Sequence, residues 1–187
     1  MLGRLLVALI LAFVAAPAAQ AQGRDWSRTV VVTPEGGYRM GNPDAPVKLV
    51  EYLSLTCPHC AHFAEEGAPA LIRDHVRSGR VSLEYRNFVL NAYDLAAALI
   101  SRCASPRDYF ALNHAILAQQ GEWMARIEAV PAQDRSQLAE VPPLEGMSRI
   151  VGWAGLDAIA SRHGVSAPEA RACLSDQAAL ERIVAMR

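Results

Sequence analysis

The 187-residue sequence has no excess of basic charge, because its 18 lysines and arginines are balanced by 19 acidic residues, for a net charge of −1. A protein that binds nucleic acid normally carries a basic patch or stripe, so the sequence argues against such a partner. The sequence also contains no internal repeat and no low-complexity tract. Its hydrophobic content of 52% is enough for a core, and its length is that of one domain, with or without an insert.

The chain also lacks an apolar run long enough to cross a bilayer. The run from Leu5 to Val14 is about ten residues, whereas a membrane-spanning helix needs about twenty. Arg4 before this run and Ala19-Gln20-Ala21 after it are typical of a cleaved signal peptide. We therefore predict a signal peptide over residues 1–21, export to an oxidising compartment and no stable membrane anchor. An uncleaved N-terminal anchor is the alternative.

The next patterns predict an α/β unit. Val47–Leu53 is typical of a buried strand, and Pro58 begins a helix that ends at a left-handed Gly79. Val81–Arg86 alternates apolar and polar residues, as a half-buried strand does, and continues to about Val89. A strand, a helix and a strand within about forty residues indicate a parallel βαβ unit.

From Asn91 onward the period of the apolar residues becomes helical. Asn91 and Asp94 resemble a helix start, and a second helix begins at Ser105-Pro106 and ends at Gly121. Residues 122–143 are less regular and are interpreted as helix fragments and a long connection. Further helical pieces follow, with capping-box spacing from Ser166 to Glu169 and a last helix from about residue 177.

The segment Cys57-Pro58-His59-Cys60 has the spacing of a redox-active dithiol. Disulfide exchange needs an accessible thiolate and a second thiol close enough to resolve the mixed disulfide. Cys57 at a helix N-terminus has free N–H groups and the helix dipole to favour a negative sulfur, so we predict that it is the nucleophile. Cys60, one turn further on, is the predicted resolving thiol. His59 adds positive charge and N–H donors that favour the Cys57 thiolate.

Glu51 stands out because it lies six residues before Cys57 in an otherwise apolar strand. A buried carboxyl at this position would relay protons to or from the dithiol. The alternative is an exposed residue on a strand edge.

The segment from Val50 to Phe63 resembles the active-site strand and helix of the DsbA-like thiol–disulfide oxidoreductases, a branch of the thioredoxin fold. The resemblance continues through the second strand and the helical insert, and so covers most of the mature chain. It implies an α/β, thioredoxin-like fold with a helical insertion domain. It also implies that Cys57 attacks the substrate and that Cys60 resolves the mixed disulfide. His59 then tunes the Cys57 thiol, and Glu51 matches the buried acid of the family.

One element of this family's fold is not found in the sequence. After the insert, a thioredoxin fold returns with a strand opened by a cis-proline, which packs beside the dithiol and binds the partner's backbone. No proline follows Pro168, which belongs to a helix start, and the sequence stops at Arg187. We therefore expect a truncated chain without the C-terminal strands of the thioredoxin core, in which the strand that carries the motif has an open edge.

The expected organisation has three parts. They are a signal peptide over residues 1–21, the N-terminal part of the thioredoxin-like domain with the dithiol over residues 22–90, and the helical insert with the start of the return helix over residues 91–187.

The remaining cysteines, Cys103 and Cys173, both lie in the predicted insert. The resemblance implies a structural disulfide between them, which an oxidising compartment would preserve. Two buried free thiols are the alternative. Around the motif, a metal site on the two cysteines, His59 and His62 is a weaker interpretation, because adjacent helical positions rarely aim four ligands at one centre. A plain structural disulfide between Cys57 and Cys60 is another alternative.

The function that these features predict is periplasmic oxidation of cysteine pairs in exported proteins by dithiol–disulfide exchange, without a cofactor or metal. The expected partners are reduced exported proteins, as substrates, and a membrane redox partner that restores the disulfide. Disulfide reduction or isomerisation is one alternative. A non-catalytic, chaperone-like module that binds peptides is another.

Overall fold

A computed structural model describes residues 24–186, so the predicted signal peptide lies outside the described residues. Within this range the chain forms a mixed four-stranded sheet of order β1-β2-β4-β3. The strands are β1 (Val30–Val32), β2 (Tyr38–Gly41), β3 (Val47–Leu53) and β4 (Val81–Asn87). The predicted α/β fold with a helical insert is confirmed, and the antiparallel β1–β2 hairpin is an addition that the sequence patterns did not indicate.

The predicted βαβ unit is confirmed, since β3 pairs with β4 in parallel, from Val47 opposite Val81 to Leu53 opposite Asn87. The burial of the two strands differs from the expectation. Strand β4 is buried almost throughout, because it lies between β2 and β3. Strand β3 is largely exposed, with Tyr52 54% exposed, because among the described residues it has a partner on one side only.

Between β3 and β4 the chain is helical but not uniformly so. Two α-helical segments, α1 (Pro58–His62) and α2 (Ala68–Leu71), are each followed by a π-helical stretch, at Phe63–Gly67 and Ile72–Val76. Gly79 ends this region with a φ of +79°, as predicted, and the backbone N–H of Gly79 bonds the carbonyl of Val76.

The insert that follows β4 is entirely helical apart from its connections. Its segments are α3 (Ala92–Ser101), α4 (Tyr109–Ala118), α5 (Gln120–Glu128), α6 (Ala132–Ser136), α7 (Pro143–Ala154), α8 (Leu156–Ser161), α9 (Ala167–Leu174) and α10 (Gln177–Ala185). The start of α3 is capped as predicted, because the Asn91 side chain accepts a hydrogen bond from the Asp94 N–H. The capping box of Ser166 and Glu169 at the start of α9 is also confirmed. No helix within residues 24–186 is long and apolar enough to span a membrane.

The predicted helix end at Gly121 is wrong. The helix is interrupted at Gln119, where φ is −103° and ψ is 14°, and α5 runs through Gly121. A Cβ added to Gly121 would meet no other atom within 4 Å, so neither strain nor crowding requires a break there. The broken turn is repaired by the Gln119 side chain, whose amide donates to the Ala115 carbonyl at 3.0 Å.

The insert packs onto the sheet through aromatic rings. Tyr38 of β2 stacks on Tyr109 of α4 with ring centroids 3.7 Å apart, and Phe110 lies 4.6 Å from the ring of Tyr85 on β4. These residues belong to one continuous core that also contains the fully buried Trp123. The sheet and the insert are therefore a single packed unit around the segment that carries the dithiol.

Candidate active site

The two cysteines of the motif lie at the junction of β3 and α1. Cys57 is the N-cap of α1, with an extended backbone (φ −84°, ψ 122°), and Pro58 occupies the first helical position. Cys60 follows within the first turn, and both cysteines are half-buried free thiols. This geometry places Cys57 at the N-terminus of α1, with the second thiol one turn away.

An open groove of about 290 Å³ lies beside the dithiol on the side of β3. Its lining residues are Leu49, Val50, Glu51, His59, Cys60 and Phe63. His59 is exposed at this groove. The shape of the groove depends on Gly67, because a Cβ there would lie 2.6 Å from Phe63 Cδ2. The Phe63 ring therefore rests directly on the backbone of the next helical turn.

Glu51 points its carboxyl inward although its strand lies on the edge of the sheet. The side chain is half-buried, and the oxygen Oε2 is buried without a hydrogen-bond partner. Burial raises the pKa of Glu51 to about 7. Across the parallel pair, Glu51 is in register with the fully buried Tyr85. Glu51 is therefore a half-buried residue and not an exposed residue on a strand edge.

The Cys60 thiol is only weakly acidic because it is half-buried. Burial raises the pKa of the Cys60 thiol to about 11, and the hydrogen bond to Cys57 and the charges of Cys57 and Glu51 act in the same direction. A backbone hydrogen bond from Ser54 opposes this rise. Cys60 is consequently a thiol at neutral pH. A step in which Cys60 attacks needs a nearby proton acceptor, and a step in which Cys60 leaves as a thiolate needs a nearby proton donor.

The loop that leads to Cys57 is held by Asp94, which lies at the start of α3. The Asp94 carboxylate accepts a hydrogen bond from the Ser54 hydroxyl at 2.6 Å and from the Leu55 N–H at 2.8 Å. It also accepts one from the Leu90 N–H at 2.9 Å. Burial raises the pKa of Asp94, and these hydrogen bonds oppose the rise. The sequence marked Asp94 as a helix-start residue but gave no signal for its contacts with the loop.

Gln120, at the start of α5, is a second contact that the sequence did not predict. Its side-chain amide donates to the carbonyl oxygens of Leu55 at 2.9 Å and of Cys57 at 3.0 Å. No motif or spacing singles this residue out, because its partners lie more than sixty residues earlier in the chain.

Cys103, just after α3, and Cys173 in α9 are joined by a disulfide, with their Cα atoms 5.7 Å apart. The bond connects the first helix of the insert to one of its last. Within residues 24–186, no three histidine, cysteine, aspartate or glutamate side chains are grouped so that they would hold a metal ion. His62, one of the residues considered for such a site, lies 3.5 Å from Glu66 on the next turn.

Comparisons with a family model and with known sequences agree on one family for this chain. A family model described as Thioredoxin matches residues 33–187. A Rickettsia conorii protein named as a protein-disulfide oxidoreductase is 32% identical over 139 residues, which cover 72% of this chain and 48% of the relative. A Rickettsia bellii protein of the same name is 29% identical over 147 residues, covering 78% and 48%. The chain thus spans about half the length of these relatives.

Solved structures agree with the sequence comparisons. The crystal structure of a protein-disulfide isomerase from Novosphingobium aromaticivorans matches with a TM-score of 0.75 at 29% identity, over 81% of this chain and 77% of that chain. Wolbachia pipientis alpha-DsbA1 matches with a TM-score of 0.55 at 25% identity, over 78% of this chain and 63% of that chain. The names of these neighbours are consistent with the dithiol geometry at Cys57 and Cys60.

Proposed function

This chain belongs to the thioredoxin family, and on that premise we propose that it is a DsbA-like thiol–disulfide oxidoreductase that exchanges disulfides with protein substrates through Cys57 and Cys60. One observation carries the proposal. Two free thiols lie within one turn at the N-terminus of α1, and the partnerless carboxyl of Glu51 lines the same groove as Cys60. A structural disulfide would not need a buried acid of this kind.

In the oxidising direction, a substrate thiolate attacks the Cys57 sulfur of the Cys57–Cys60 disulfide. The sulfur–sulfur bond breaks, Cys60 leaves as a thiolate, and a mixed disulfide joins Cys57 to the substrate. A second substrate thiolate then attacks the substrate sulfur of this bond, and Cys57 leaves as a thiolate. Two electrons pass from the substrate dithiol to the pair of cysteines, and the substrate gains a disulfide.

Glu51 supplies the proton in the first of these steps. A leaving thiolate with a pKa of about 11 leaves slowly unless it is protonated, and a carboxyl with a pKa of about 7 is a sufficient acid for it. In the reverse direction the Glu51 carboxylate accepts the Cys60 proton, so that Cys60 can resolve the mixed disulfide. His59, exposed at the groove, favours the Cys57 thiolate through its N–H donors and its charge when protonated.

The place of action that we propose is the periplasm, reached through a signal peptide over residues 1–21. The substrates are reduced exported proteins, and a membrane redox partner restores the Cys57–Cys60 disulfide. The disulfide between Cys103 and Cys173 supports an oxidising compartment, because such bonds are rare where thiols are kept reduced.

The test is exchange with a reduced two-cysteine peptide by the oxidised full chain. We expect Cys57→Ser to abolish peptide oxidation. Cys60→Ser, incubated instead with the disulfide form of the peptide, should attack that disulfide through Cys57 and trap a mixed disulfide, visible as an adduct by non-reducing mass spectrometry. The double variant Cys103→Ser, Cys173→Ser is the matched control. It should still oxidise the peptide at a temperature at which it remains folded. Peptide oxidation by Cys57→Ser would refute the assignment.

Isomerisation is the second candidate, because the Novosphingobium aromaticivorans neighbour is named a protein-disulfide isomerase. A substrate with scrambled disulfides distinguishes the two activities. An oxidase forms bonds in the reduced substrate but leaves the scrambled one largely unchanged, whereas an isomerase in its reduced form restores native pairing.

A further inference from the structure

Gln120 connects the helical insert to the backbone of the nucleophilic cysteine. Its side-chain nitrogen Nε2 lies 2.9 Å from the Leu55 carbonyl oxygen and 3.0 Å from that of Cys57. Both partners are acceptors only, so the orientation of the amide is determined, with its NH₂ group toward the loop. Its two N–H groups therefore serve two carbonyls on either side of Thr56.

The break between α4 and α5 allows this contact. If the helix continued through Gln119, the Gln119 backbone N–H would bond the Ala115 carbonyl, but the Gln119 side chain takes that place at 3.0 Å. The helical axis is thus interrupted one residue before Gln120, which becomes the first residue of α5. Two adjacent glutamines have separate tasks: Gln119 completes its own helix and Gln120 reaches the loop.

The Cys57 carbonyl has a second partner in the Ala61 N–H, at 3.2 Å, which is the first hydrogen bond of α1. Gln120 therefore acts on the residue whose conformation sets the position of the Cys57 sulfur relative to the helix N-terminus. It also draws electron density from two carbonyl oxygens, whose negative ends would otherwise disfavour a nearby thiolate.

We propose that Gln120 is a positioning residue for Cys57: by binding the Leu55 and Cys57 carbonyls, it holds the nucleophile at the start of α1 and increases its thiolate fraction. The inference rests on the proposed redox role of Cys57. It makes the insert part of the reaction and not merely a covering domain.

The test compares two glutamines of the helical insert. Alkylation of Cys57 by iodoacetamide is followed across pH in the reduced full chain, and modification is assigned to Cys57 by peptide mass spectrometry. We expect Gln120→Leu to reduce the alkylation rate at a pH below the wild-type midpoint by about three- to tenfold, the effect of losing one modest hydrogen bond. Gln133→Leu, the same substitution at an exposed position of α6, should leave the profile unchanged.

A second variant separates positioning from loss of packing. Gln120→Glu keeps the size of the side chain, but its carboxylate cannot donate a hydrogen bond and faces two carbonyl oxygens. The midpoint of the pH profile for Cys57 alkylation should therefore move upward further than in Gln120→Leu. A wild-type alkylation profile in folded Gln120→Leu and Gln120→Glu would overturn the proposal. Equal shifts in the Gln133 and Gln120 variants would also overturn it, since they would indicate a general effect on the insert. The titration needs no protein substrate, so a shifted profile in a chain that fails to oxidise the peptide would refute the proposed function alone.

Discussion

The buried carboxylate of Asp94 accepts a 2.8 Å hydrogen bond from the backbone N–H of Leu55, the residue two positions before Cys57. The same carboxylate binds the Ser54 hydroxyl and the Leu90 N–H, so it connects the ends of β3 and β4 to the first helix of the insert. All three partners in these bonds are donors. The position therefore requires a side chain that only accepts.

Asp94→Asn is expected to lower the free energy of unfolding by about 1–3 kcal/mol, because one amide oxygen cannot replace two carboxylate oxygens and the new NH₂ group faces a donor. Urea unfolding at neutral pH measures the effect. Asp134→Asn, at an exposed position of α6, is the control and should change stability by less than about 0.5 kcal/mol. Equal stability of Asp94→Asn and the wild type would show that the connection does not stabilise the fold.

Glu51→Gln should change how the stability of the reduced protein depends on pH. Burial raises the pKa of Glu51 from 4.5 to about 7, so the wild type is favoured below pH 4.5 and loses stability as the pH rises through about 7. Glutamine has no such loss. We therefore expect the variant to match the wild type at pH 4.5 and to exceed it at pH 8.5 by about 1–2 kcal/mol, after allowance for solvent screening.

The same variant should oxidise the peptide more slowly, because Cys60 then leaves without a proton donor. Glu65→Gln, an exposed change in the π-helical stretch Phe63–Gly67, is the control for both measurements. If Glu51→Gln keeps the wild-type rate and pH dependence, the carboxyl has no part in proton transfer.

Removing the disulfide between Cys103 and Cys173 should destabilise the protein substantially. The bond closes a loop across 70 positions, and the chain-entropy model gives about 4 kcal/mol for a loop of this size. The double variant Cys103→Ala, Cys173→Ala should therefore unfold at lower urea than the oxidised wild type. Wild type treated with enough reductant to open this disulfide should approach the double variant. If the reduced wild type and the double variant unfold at different urea concentrations, the bond does not act by constraining the chain.

Gly67→Ala should alter the groove without unfolding the protein. The added methyl group would overlap the Phe63 ring, 2.6 Å and 2.8 Å from two of its carbons, so the ring must move. Because Phe63 lines the groove beside Cys60, we expect slower exchange with a peptide substrate but unchanged alkylation of Cys57 by a small reagent.

Gly121→Ala is the matched control for this change. Its added Cβ meets no atom within 4 Å, and alanine favours the helix, so it should raise the free energy of unfolding by about 0.5–1 kcal/mol and leave exchange unchanged. A Gly67→Ala variant with wild-type exchange kinetics would show that the position of Phe63 is unimportant to the substrate.

Features that depend on nearby residues could be predicted from the sequence. The left-handed Gly79, the cap of α3 at Asn91 and the capping box at Ser166 all involve contacts within a few positions, and all are confirmed. The wrong prediction of a helix end at Gly121 was also based on nearby residues alone. Glycine is a frequent helix terminator, but here a side-chain hydrogen bond from Gln119 decides where the helix breaks.

Strand burial could not be predicted in the same way, because it depends on the order of strands in the sheet. The pattern of β4 is that of a half-buried strand, but the β1–β2 hairpin pairs with it on the side away from β3 and makes it central. Strand β3, with its apolar sequence, consequently lies on the edge. Gly37 permits this arrangement, since a Cβ there would lie 2.6 Å from Glu84 Oε1.

Sequence patterns alone place a dithiol between a strand and a helix, with an acid on the strand and a helical insert after it. These are properties of spacing and period, which act over short stretches of chain. The folding of the chain, by contrast, leaves the Glu51 oxygen Oε2 buried with no hydrogen-bond partner within residues 24–186. It also brought Asp94 and Gln120 to the loop before Cys57, across 39 to 65 positions of sequence. Contacts over such separations arise from the packing of the insert on the sheet, and no local pattern encodes them.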